Sequence, residues 1–552
     1  MTAGPAARSA VPTGRRPSGG SRQASLAVSV PALLVGAASL LPVVYLVARA
    51  WGGDLIGIAT NGRTLALLGR TTLLAAAVTA ACLLLGVTFA FLTTRTDLPG
   101  RRIWAILLAL PLVVPTFVGA YTLIAAVAPG GLFATWFSAR GVTLPSPYGF
   151  GGAFFTLTMY SYPYVLLTVQ AALRGSDPAL EEASRTLGVG TWATLRRVTL
   201  PQIRPAAAAG SLLVVLYVLS DFGAVSLLRY STFTRAIYLQ YRAAFDRTPA
   251  AILGLMLVAL TIVVLVVETR VGRDRGGQFR GRGAAPGRRH TTVALGRWRL
   301  PAFLACGAVA LAGLAVPMTV IGTWLLRGIE AGEDFSFVFR AARHSLWASL
   351  LGAVAAVAAA MPVALWATRH PGRWSRATER AAFTGYALPG IVVALSLVFF
   401  GIRFGGPLYQ TTVMLIFAYV VLFLPQAIGA IRASLLQVPA NVEEAARTLG
   451  SRPLTAVLRV VVPLARRGAV AGGALVFLTT MKELPATLLL APIGFDTLAT
   501  RVWSSTNEAF FARAAAPALA LILLGSVPLA VVSFRSGPAS RTLRSQDRDG
   551  VG

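Results

Sequence analysis

The sequence EEASRTLG at residues 181–188 returns as EEAARTLG at residues 443–450, and the two copies differ at a single position. Ungapped superposition of the copies pairs further residues: Arg185 with Arg447, Gly188 with Gly450, Arg197 with Arg459, Pro201 with Pro463, Gly210 with Gly472, and Pro163 with Pro425. Earlier in each half, TRTDLPGR at residues 94–101 resembles TRHPGR at residues 368–373. This self-similarity indicates that one structural unit occurs twice in the chain.

The composition is that of a membrane protein. Of the 552 residues 56% are hydrophobic and 13% are charged, about half the charged fraction of roughly 25% that is usual in soluble proteins. Many segments exceed the ~18 apolar residues that a helix needs to cross a bilayer core. Long unbroken apolar runs favour helices over a barrel of short alternating strands. We therefore predict an all-α polytopic membrane protein.

The apolar segments predict about twelve transmembrane helices, six in each half. We place the spans at about 27–49, 71–94, 103–127, 151–173, 205–229, 250–268, 300–325, 346–368, 381–402, 411–433, 467–491 and 513–534. The expected organisation is a disordered basic tail (1–26), a first six-helix repeat (27–268), an Arg/Gly-rich linker (269–299), a second six-helix repeat (300–534) and a C-terminal tail (535–552). Because six is even, both repeats enter the membrane from the same side and are parallel repeats.

The distribution of arginine predicts the orientation. Both tails, the linker and the loops at 95–102 and 369–380 are basic and fall on one side, which the positive-inside rule makes the cytoplasm. This pattern accounts for the net charge of +30 without a nucleic-acid partner. One loop, 229–249, is an exception because it should be external and yet carries Arg229, Arg235, Arg242 and Arg247. It is either tolerated, in contact with lipid headgroups, or a docking surface for an acidic external partner.

The sequence carries few residues suited to catalysis or metal binding. Cys82 and Cys306 lie in apolar runs, and the three histidines are scattered, so no ligand cluster is expected. Lys482 is the one lysine of the chain, which excludes the phosphate-binding motif G-x-x-x-x-G-K-[ST]. We therefore expect a chain that is not an enzyme and binds no cofactor itself.

The repeated octapeptide has the pattern of a short helix at the membrane surface. Glu181 and Arg185 stand four apart with the acid first, the favourable order for a helical pair. Gly188 and Gly450 fit the C-terminal stop of a helix, and Pro201 and Pro463 mark the entry to the next span. The alternative is an amphipathic helix that merely lies on the bilayer, which would not require the same residues in the same register twice.

These residues resemble the cytoplasmic signature E-A-A-x3-G-x9-I-x-L-P of permease subunits of binding-protein-dependent ABC importers. The copies read Glu182-Ala183-Ser184, Gly188, Val198, Leu200-Pro201 and Glu444-Ala445-Ala446, Gly450, Val460, Val462-Pro463. The resemblance implies a type I permease-like fold in the plasma or inner membrane of a bacterial cell. It also implies two partner ATPase subunits, which carry the ATP and Mg, and an extracytoplasmic solute-binding protein. The residues expected to couple to the ATPases are Glu181, Glu182, Ala183, Gly188, Pro201, Glu443, Glu444, Ala445, Gly450 and Pro463.

Each half also places one acidic residue inside its fifth span. Asp221 and Glu483 occupy the same position in the repeat alignment, and a charge at mid-bilayer costs at least ~2.5–3.5 kcal/mol. One interpretation is a structural polar pair in the helix bundle, with Glu483 neutralised by Lys482 or an arginine. The other is that Asp221 and Glu483 line a central path and favour a cation, since hard cations prefer oxygen ligands. No resident metal site is predicted.

The stretch KELPATLLLAPIGFDTLATRVW at residues 482–503 is similar to ferric-iron permeases whose two halves are fused. That resemblance implies uptake of Fe(III) from an external binding protein by alternating access. Permeases for thiamine share the fused plan, as do some for phosphonates and polyamines, so these substrates stay open. A proton-coupled secondary transporter would use the two acids but would leave the repeated octapeptide unexplained.

Overall fold

The computed structural model describes residues 26–176, 178–243, 247–273, 292–439, 442, 445–446, 448–451 and 453–535. Within these ranges the chain is built from helices, and its β pairing is an isolated bridge between Thr96 and Val293. The all-α prediction is confirmed.

Six principal helices make up the first half. They are α1 (Leu26–Ala50), α2 (Gly62–Arg95), α3 (Thr116–Val127), α4 (Phe150–Gly175), α5 (Leu200–Ser220) and α6 (Thr248–Arg273). Shorter α-helices span Leu55–Thr60, Arg101–Leu107, Leu132–Ser138, Pro178–Thr186, Thr191–Thr194, Gly223–Leu227 and Phe233–Ala243. A 3-10 helix spans Leu110–Val113, and a π-helix spans Leu195–Thr199.

The second half repeats this order. Its principal helices are α7 (Val316–Glu330), α8 (Ser336–Arg369), α9 (Gly390–Arg403), α10 (Thr412–Leu435), α11 (Arg466–Met481) and α12 (Phe511–Arg535). Shorter α-helices span Arg299–Ala310, Arg373–Ala382, Pro453–Ala456, Val462–Leu464, Pro485–Leu490 and Leu498–Asn507. The 3-10 helices are Gly296–Trp298, Phe383–Ala387 and Gly406–Leu408, and the π-helices are Leu311–Ala315 and Val457–Val461.

Several of these helices can cross a membrane. By length and apolar composition eight described helices qualify, or ten if each of two bent pairs counts as one span. This agrees with a polytopic membrane protein. The helices α4 and α12 coincide with two of the twelve predicted spans but are not among these eight or ten, so the number twelve stays a prediction.

Four predicted spans are not the continuous helices that the sequence suggested. The spans 103–127 and 381–402 break before Pro115 and Pro389, and the second break turns the chain by 107°. Proline lacks the N–H of a helical hydrogen bond and disfavours helical geometry in the preceding residue, which explains both breaks. The spans 205–229 and 467–491 break where α5 and α11 end, at the two acidic residues.

The structure also differs from the predicted linker 269–299 at both of its ends. The helix α6 continues as far as Arg273, and the chain after residue 291 is held against the first half. Val293 donates its backbone N–H to the carbonyl of Arg95 at 2.8 Å, and Leu295 donates to the Asp97 carboxylate at 2.9 Å. The remaining linker residues and the tails 1–25 and 536–552 lie outside the described residues.

The first helix of each half packs against the other half. Tyr45 of α1 lies edge-on to Phe400 of α9, with ring centroids 5.9 Å apart. Trp324 of α7 donates its indole N–H to the carbonyl of Ala125 in α3 at 3.1 Å. The two repeats therefore pack against each other and both contribute to one large apolar cluster. A second, smaller cluster is formed mainly by the second half.

Small residues let the helices within each half approach closely. A Cβ at Gly210 of α5 would lie 2.5 Å from the Thr168 hydroxyl oxygen of α4, and one at Gly472 of α11 would lie 3.2 Å from Cα of Ala427 in α10. Glycine at both repeat-equivalent positions allows this contact. The fifth helix of each half is thereby fixed to the fourth.

Candidate functional site

Both octapeptides lie in loops that lead into the fifth helix of their half. We call residues 178–199 the first octapeptide loop and residues 442–461 the second. In the first, the helix Pro178–Thr186 is followed by Gly188 at φ +77°; in the second, Gly450 has φ +88°. Left-handed glycines stop a helix by turning the chain, as the sequence predicted. Glu443, Glu444 and Arg447 lie outside the described residues.

Glu181 faces inward and holds the first octapeptide loop to α2. Its carboxylate lies 3.3 Å from the Arg95 guanidinium and accepts a hydrogen bond from the Thr199 hydroxyl at 3.0 Å. Arg95 also donates to the Ser176 hydroxyl at 2.5 Å. The buried Glu181 carboxylate therefore meets Arg95 at the end of α2, a contact that the helical spacing of Glu181 and Arg185 did not predict.

Both loops expose small and apolar side chains at equivalent positions. Leu187 is 82% exposed, and Leu449, at the same position of the second repeat, is 87% exposed. Ala183 and Ala445 are also exposed, whereas Glu182 is partly buried. Exposed apolar side chains at equivalent places in both repeats are typical of a surface that another protein covers.

Each octapeptide loop continues through a π-helix into the fifth helix. The π-helices Leu195–Thr199 and Val457–Val461 occupy the same register of the two repeats, immediately before Pro201 and Pro463. A proline cannot donate to the carbonyl four residues earlier and its ring crowds that carbonyl, so the hydrogen-bond ladder widens to the π form. In the first half Trp192–Ser220 forms one apolar helical segment of 29 residues, about 40 Å long. In the second half the corresponding segment bends by 61° before α11.

Asp221 stands where α5 ends and is fully hydrogen-bonded. Its carboxylate accepts a hydrogen bond of 2.5 Å from the Thr116 hydroxyl and bonds of 3.1 and 3.3 Å from the backbone N–H groups of Ala224 and Val225. Asp221 therefore joins the break of α5 to the start of α3. Both of its oxygens are occupied by the protein itself.

Glu483 holds the same place in the second half with a different set of contacts. Its Oε1 accepts a hydrogen bond from the backbone N–H of Ala486 at 3.0 Å. The residue that corresponds to Thr116 is Gly390, which also follows the proline at the start of its helix, and a Cβ there would lie 2.8 Å from Glu483 Oε1. The longer acid faces glycine and the shorter acid faces threonine, so the two junctions are filled in complementary ways.

Glu483 lies beside a group of polar side chains. It lines a closely packed pocket, without room for a water molecule, together with the hydroxyl-bearing residues Ser349, Tyr419, Thr480 and Thr487. Tyr419 and Thr487 are hydrogen-bonded to each other at 2.7 Å. The hydroxyl groups and the Glu483 carboxylate together form a polar cluster within the apolar core.

The breaks at Asp221 and Glu483 lie next to each other, at the contact between the two halves. A Cβ at Gly223 would lie 3.0 Å from Cδ2 of Leu484, so the residues after each acid are in contact. Lys482 donates from its ammonium group to the carbonyl of Leu112 in the first half at 2.9 Å. The interpretation in which Lys482 neutralises Glu483 is therefore wrong, since the two side chains form no ion pair among the described residues.

Three of the four arginines in the basic loop 229–249 lie over aromatic rings. The guanidinium carbons lie 4.6 Å from the Tyr148 ring centre for Arg229, 5.9 Å from Tyr238 for Arg242 and 4.8 Å from Tyr241 for Arg247. Cation–π contact at this range stabilises a positive charge beside apolar surface. Neither predicted role of this loop is decided by these contacts.

Among the described residues no group of three His, Cys, Asp or Glu side chains could hold a metal ion.

Sequence reasoning missed several of these contacts. Arg95 could have been found from the repeated TRTDLPGR and TRHPGR stretches, since both contain an arginine after threonine. Thr116 and Gly390 each follow a proline at equivalent points, but no residue pattern links them to the acids. The contact of Lys482 with Leu112 has no sequence signal because it depends on how the halves pack.

Comparison with known proteins agrees with this duplicated plan. The family model described as "Binding-protein-dependent transport system inner membrane component" matches twice, at residues 82–275 and 348–534. The Fe(3+)-transport system permease protein FbpB 2 of Haemophilus influenzae is 33% identical over 502 residues, which cover 90% of this chain and 96% of that protein. The molybdenum transport system permease protein ModB of Escherichia coli is 31% identical over 35% of this chain and 88% of its own length. The sulfate transport system permease protein CysT of E. coli is 29% identical over 34% of this chain and 70% of its own length.

The two family matches fall on the two halves that the octapeptides define, and together they cover more than half of the chain. The chain therefore belongs to the family of inner membrane components of binding-protein-dependent transport systems.

Proposed function

We propose that this chain supplies both halves of the permease of an ATP-driven importer that translocates Fe(III) delivered by an extracytoplasmic binding protein. The observation that carries the iron assignment is the match to a Fe(3+)-transport permease over 90% of this chain. The molybdenum and sulfate relatives match over 35% and 34% of it. Iron is the cargo of this path and not a resident cofactor.

The two octapeptide loops are the docking elements for two copies of a separate ATPase subunit, which bind ATP and Mg. The exposed Leu187 and Leu449 support this assignment, because one apolar side chain at each loop would enter a cleft of each ATPase copy. This places the loops, the linker and both chain termini on the cytoplasmic side. The repeat-equivalent position of the two leucines fits two identical partners.

The fifth helix of each half transmits ATPase motion to the centre of the protein. In the first half the segment Trp192–Ser220 runs from the octapeptide loop to the break at Asp221 without leaving the helix. Because one continuous helix links them, a displacement of the loop moves the Asp221 junction as well. Closure of the ATPases opens the path outward to accept the ion, and hydrolysis resets it inward.

Glu483 is the carboxylate that we assign to the iron path. Asp221 has both oxygens occupied by Thr116 and the backbone, whereas one oxygen of Glu483 makes no hydrogen bond among the described residues. Tyr419 and Thr487 line the same closely packed pocket, which has no room for an ion until the surrounding helices move apart. Hard cations prefer oxygen ligands of this kind. Asp221 is assigned a structural role that supports the path.

The experiment is uptake of radiolabelled Fe(III) into vesicles that contain the permease, its ATPase and its binding protein. We expect ATP-dependent uptake that falls at least tenfold in Glu483→Gln. If uptake is unaffected by that change, iron remains the substrate and Glu483 has a structural role only. ATP-dependent transport of thiamine, a phosphonate or a polyamine in place of iron would overturn the substrate, and uptake driven by a proton gradient without ATP would overturn the importer class.

A further inference from the structure

A cavity of about 220 Å³ lies beside the first octapeptide loop. Its walls come from three separate parts of the chain, namely the end of α2, the loop itself and Val293 of the segment that leads into the second half. Most of the wall is apolar, with Phe91, Trp192 and Leu195 among its side chains. It lies outside the central region that contains Asp221 and Glu483.

Arg95 contributes an unusual polar group to this cavity. Its side chain is 3% exposed, and its Nη2 atom contacts Glu181 and Ser176. Its Nε and Nη1 atoms have no hydrogen-bond acceptor among the described residues. A buried donor without an acceptor destabilises a protein, and more so when the group is charged, so these two nitrogens call for a partner that supplies an acceptor.

The Arg95 side chain favours an anion in this cavity. Arg185 and Glu181 also line it, and Arg185 has an interaction partner of its own. The Glu181 carboxylate is already engaged by Arg95 and by the Thr199 hydroxyl, and it does not reach the two unpaired Arg95 nitrogens. An oxyanion would supply the missing acceptors in charge-assisted hydrogen bonds.

We propose that this cavity binds a small amphipathic anion, with its oxyanion group on Arg95 and a flat apolar body between Trp192 and Val293. The volume equals that of roughly seven waters in the liquid, enough for one aromatic ring and one phosphate or carboxylate group. The oxyanion comes either from a soluble organic acid or from the headgroup of an anionic lipid.

Such a ligand would bridge α2, the first octapeptide loop and the start of the second half. Val293 belongs to the connection between the halves, and in the part of the chain that the structure describes it contributes a wall at the first octapeptide loop. Binding therefore acts on one of the two loops and restrains its movement relative to α2. The inference does not depend on which substrate the permease carries.

Phenyl phosphate is a suitable probe because it combines one ring with one phosphate. We expect saturable binding of this probe to the full-length chain in phosphatidylcholine nanodiscs, measured by isothermal titration calorimetry. Trp192→Ala should weaken binding about tenfold without unfolding the protein, since Trp192 is 74% exposed. Trp374→Ala, at a tryptophan that is 61% exposed and does not line this cavity, is the matched control and should bind as the wild type does.

Two further variants test the anion contact and the space. Arg95→Gln should weaken binding at least tenfold, the loss expected for one charge-assisted hydrogen bond. Leu195→Trp should abolish binding by filling the cavity while it leaves the Arg95–Glu181 pair in place. Benzyl alcohol, which has the ring without the charge, should bind at least tenfold more weakly than phenyl phosphate.

The source of the oxyanion is distinguished by lipid composition. If a lipid headgroup is the natural occupant, nanodiscs with phosphatidylglycerol should reduce phenyl phosphate binding in the wild type and equally in the control variant Trp374→Ala. If binding is unchanged, the natural ligand is soluble. Absence of saturable binding at millimolar phenyl phosphate, or equal binding by wild type and Leu195→Trp, would show that water alone fills the cavity and would overturn the proposal.

Discussion

The Thr116 hydroxyl donates a 2.5 Å hydrogen bond to the Asp221 carboxylate, and so ties the start of α3 to the end of α5. At the equivalent junction of the second half, Glu483 extends one methylene further and lies against Gly390, which has no side chain. The combined size of the acidic side chain and its neighbour is thus similar in the two halves, although the acid is longer and the neighbour smaller in the second half. The two halves have diverged in residue type at this junction and retained its packing.

The first prediction follows from this compensation. Gly390→Ala should destabilise the protein by about 1–3 kcal/mol, because the new Cβ would stand 2.8 Å from Glu483 Oε1 and 3.2 Å from Cγ of Pro485. Shortening the acid in the double variant Gly390→Ala/Glu483→Asp should recover most of the loss. Thermal unfolding in detergent measures both. Gly429→Ala, where no atom lies within 4 Å, is the control and should be neutral or stabilising.

The second prediction concerns the hydrogen bond to Asp221. Thr116→Val keeps the shape of the side chain and removes the donor, so it should cost about 1.5–3 kcal/mol, the range for a hydrogen bond to a charged group. Thr116→Ser should retain nearly all of the stability because the hydroxyl remains. Equal stability of the valine and serine variants in thermal unfolding would contradict the importance of this bond.

The third prediction separates the two neighbouring acids of the octapeptide. Glu181→Ala leaves the buried Arg95 guanidinium without its counter-charge, and removal of one partner of a buried pair costs ~3–5 kcal/mol. Glu182→Ala should change stability by less than about 0.5 kcal/mol and should instead reduce ATPase stimulation in reconstituted vesicles. Similar melting temperatures for both variants would show that Glu181 does not fasten the loop.

The fourth prediction addresses the exposed leucines. Leu187→Ser and Leu449→Ser should each weaken co-purification of the ATPase subunit at least tenfold, and the double variant should abolish it, with no loss of folded permease. Each leucine is exposed, so its removal takes nothing from the core. Ile493→Ser, at a residue 89% exposed and outside both loops, should leave the association intact. Undiminished ATPase binding by the double serine variant would remove these residues from the interface.

The fifth prediction tests the contact between the halves. Lys482→Met removes the ammonium donor to the Leu112 carbonyl, and an unsatisfied carbonyl in the core should cost about 1–3 kcal/mol. Lys482→Gln keeps a donor of shorter reach and should recover only part of that loss. Differential scanning fluorimetry of the two variants compares them directly, and a methionine variant as stable as the wild type would contradict a stabilising contact.

Part of the site was predictable because its signals are local in the chain. The duplicated octapeptide identified both loops, the glycines at 188 and 450 and the entry prolines, since each acts through its own backbone geometry. The breaks at Asp221 and Glu483 were not predicted, because the apolar pattern continues across them. Hydropathy reports which residues avoid water and carries no information on whether the helix that contains them is continuous.

The sequence by itself determined the membrane class, the duplication and the position of the loops, because composition and repeated residues express these properties without reference to distant contacts. Tertiary structure decided the partners: Arg95 for Glu181, Thr116 for Asp221, and Leu112 for Lys482. A charged group in a low-dielectric interior must find its partner among whatever groups the packing brings within hydrogen-bond reach. Since the first helix of each half packs on the opposite half, those neighbours are fixed only once both repeats have assembled.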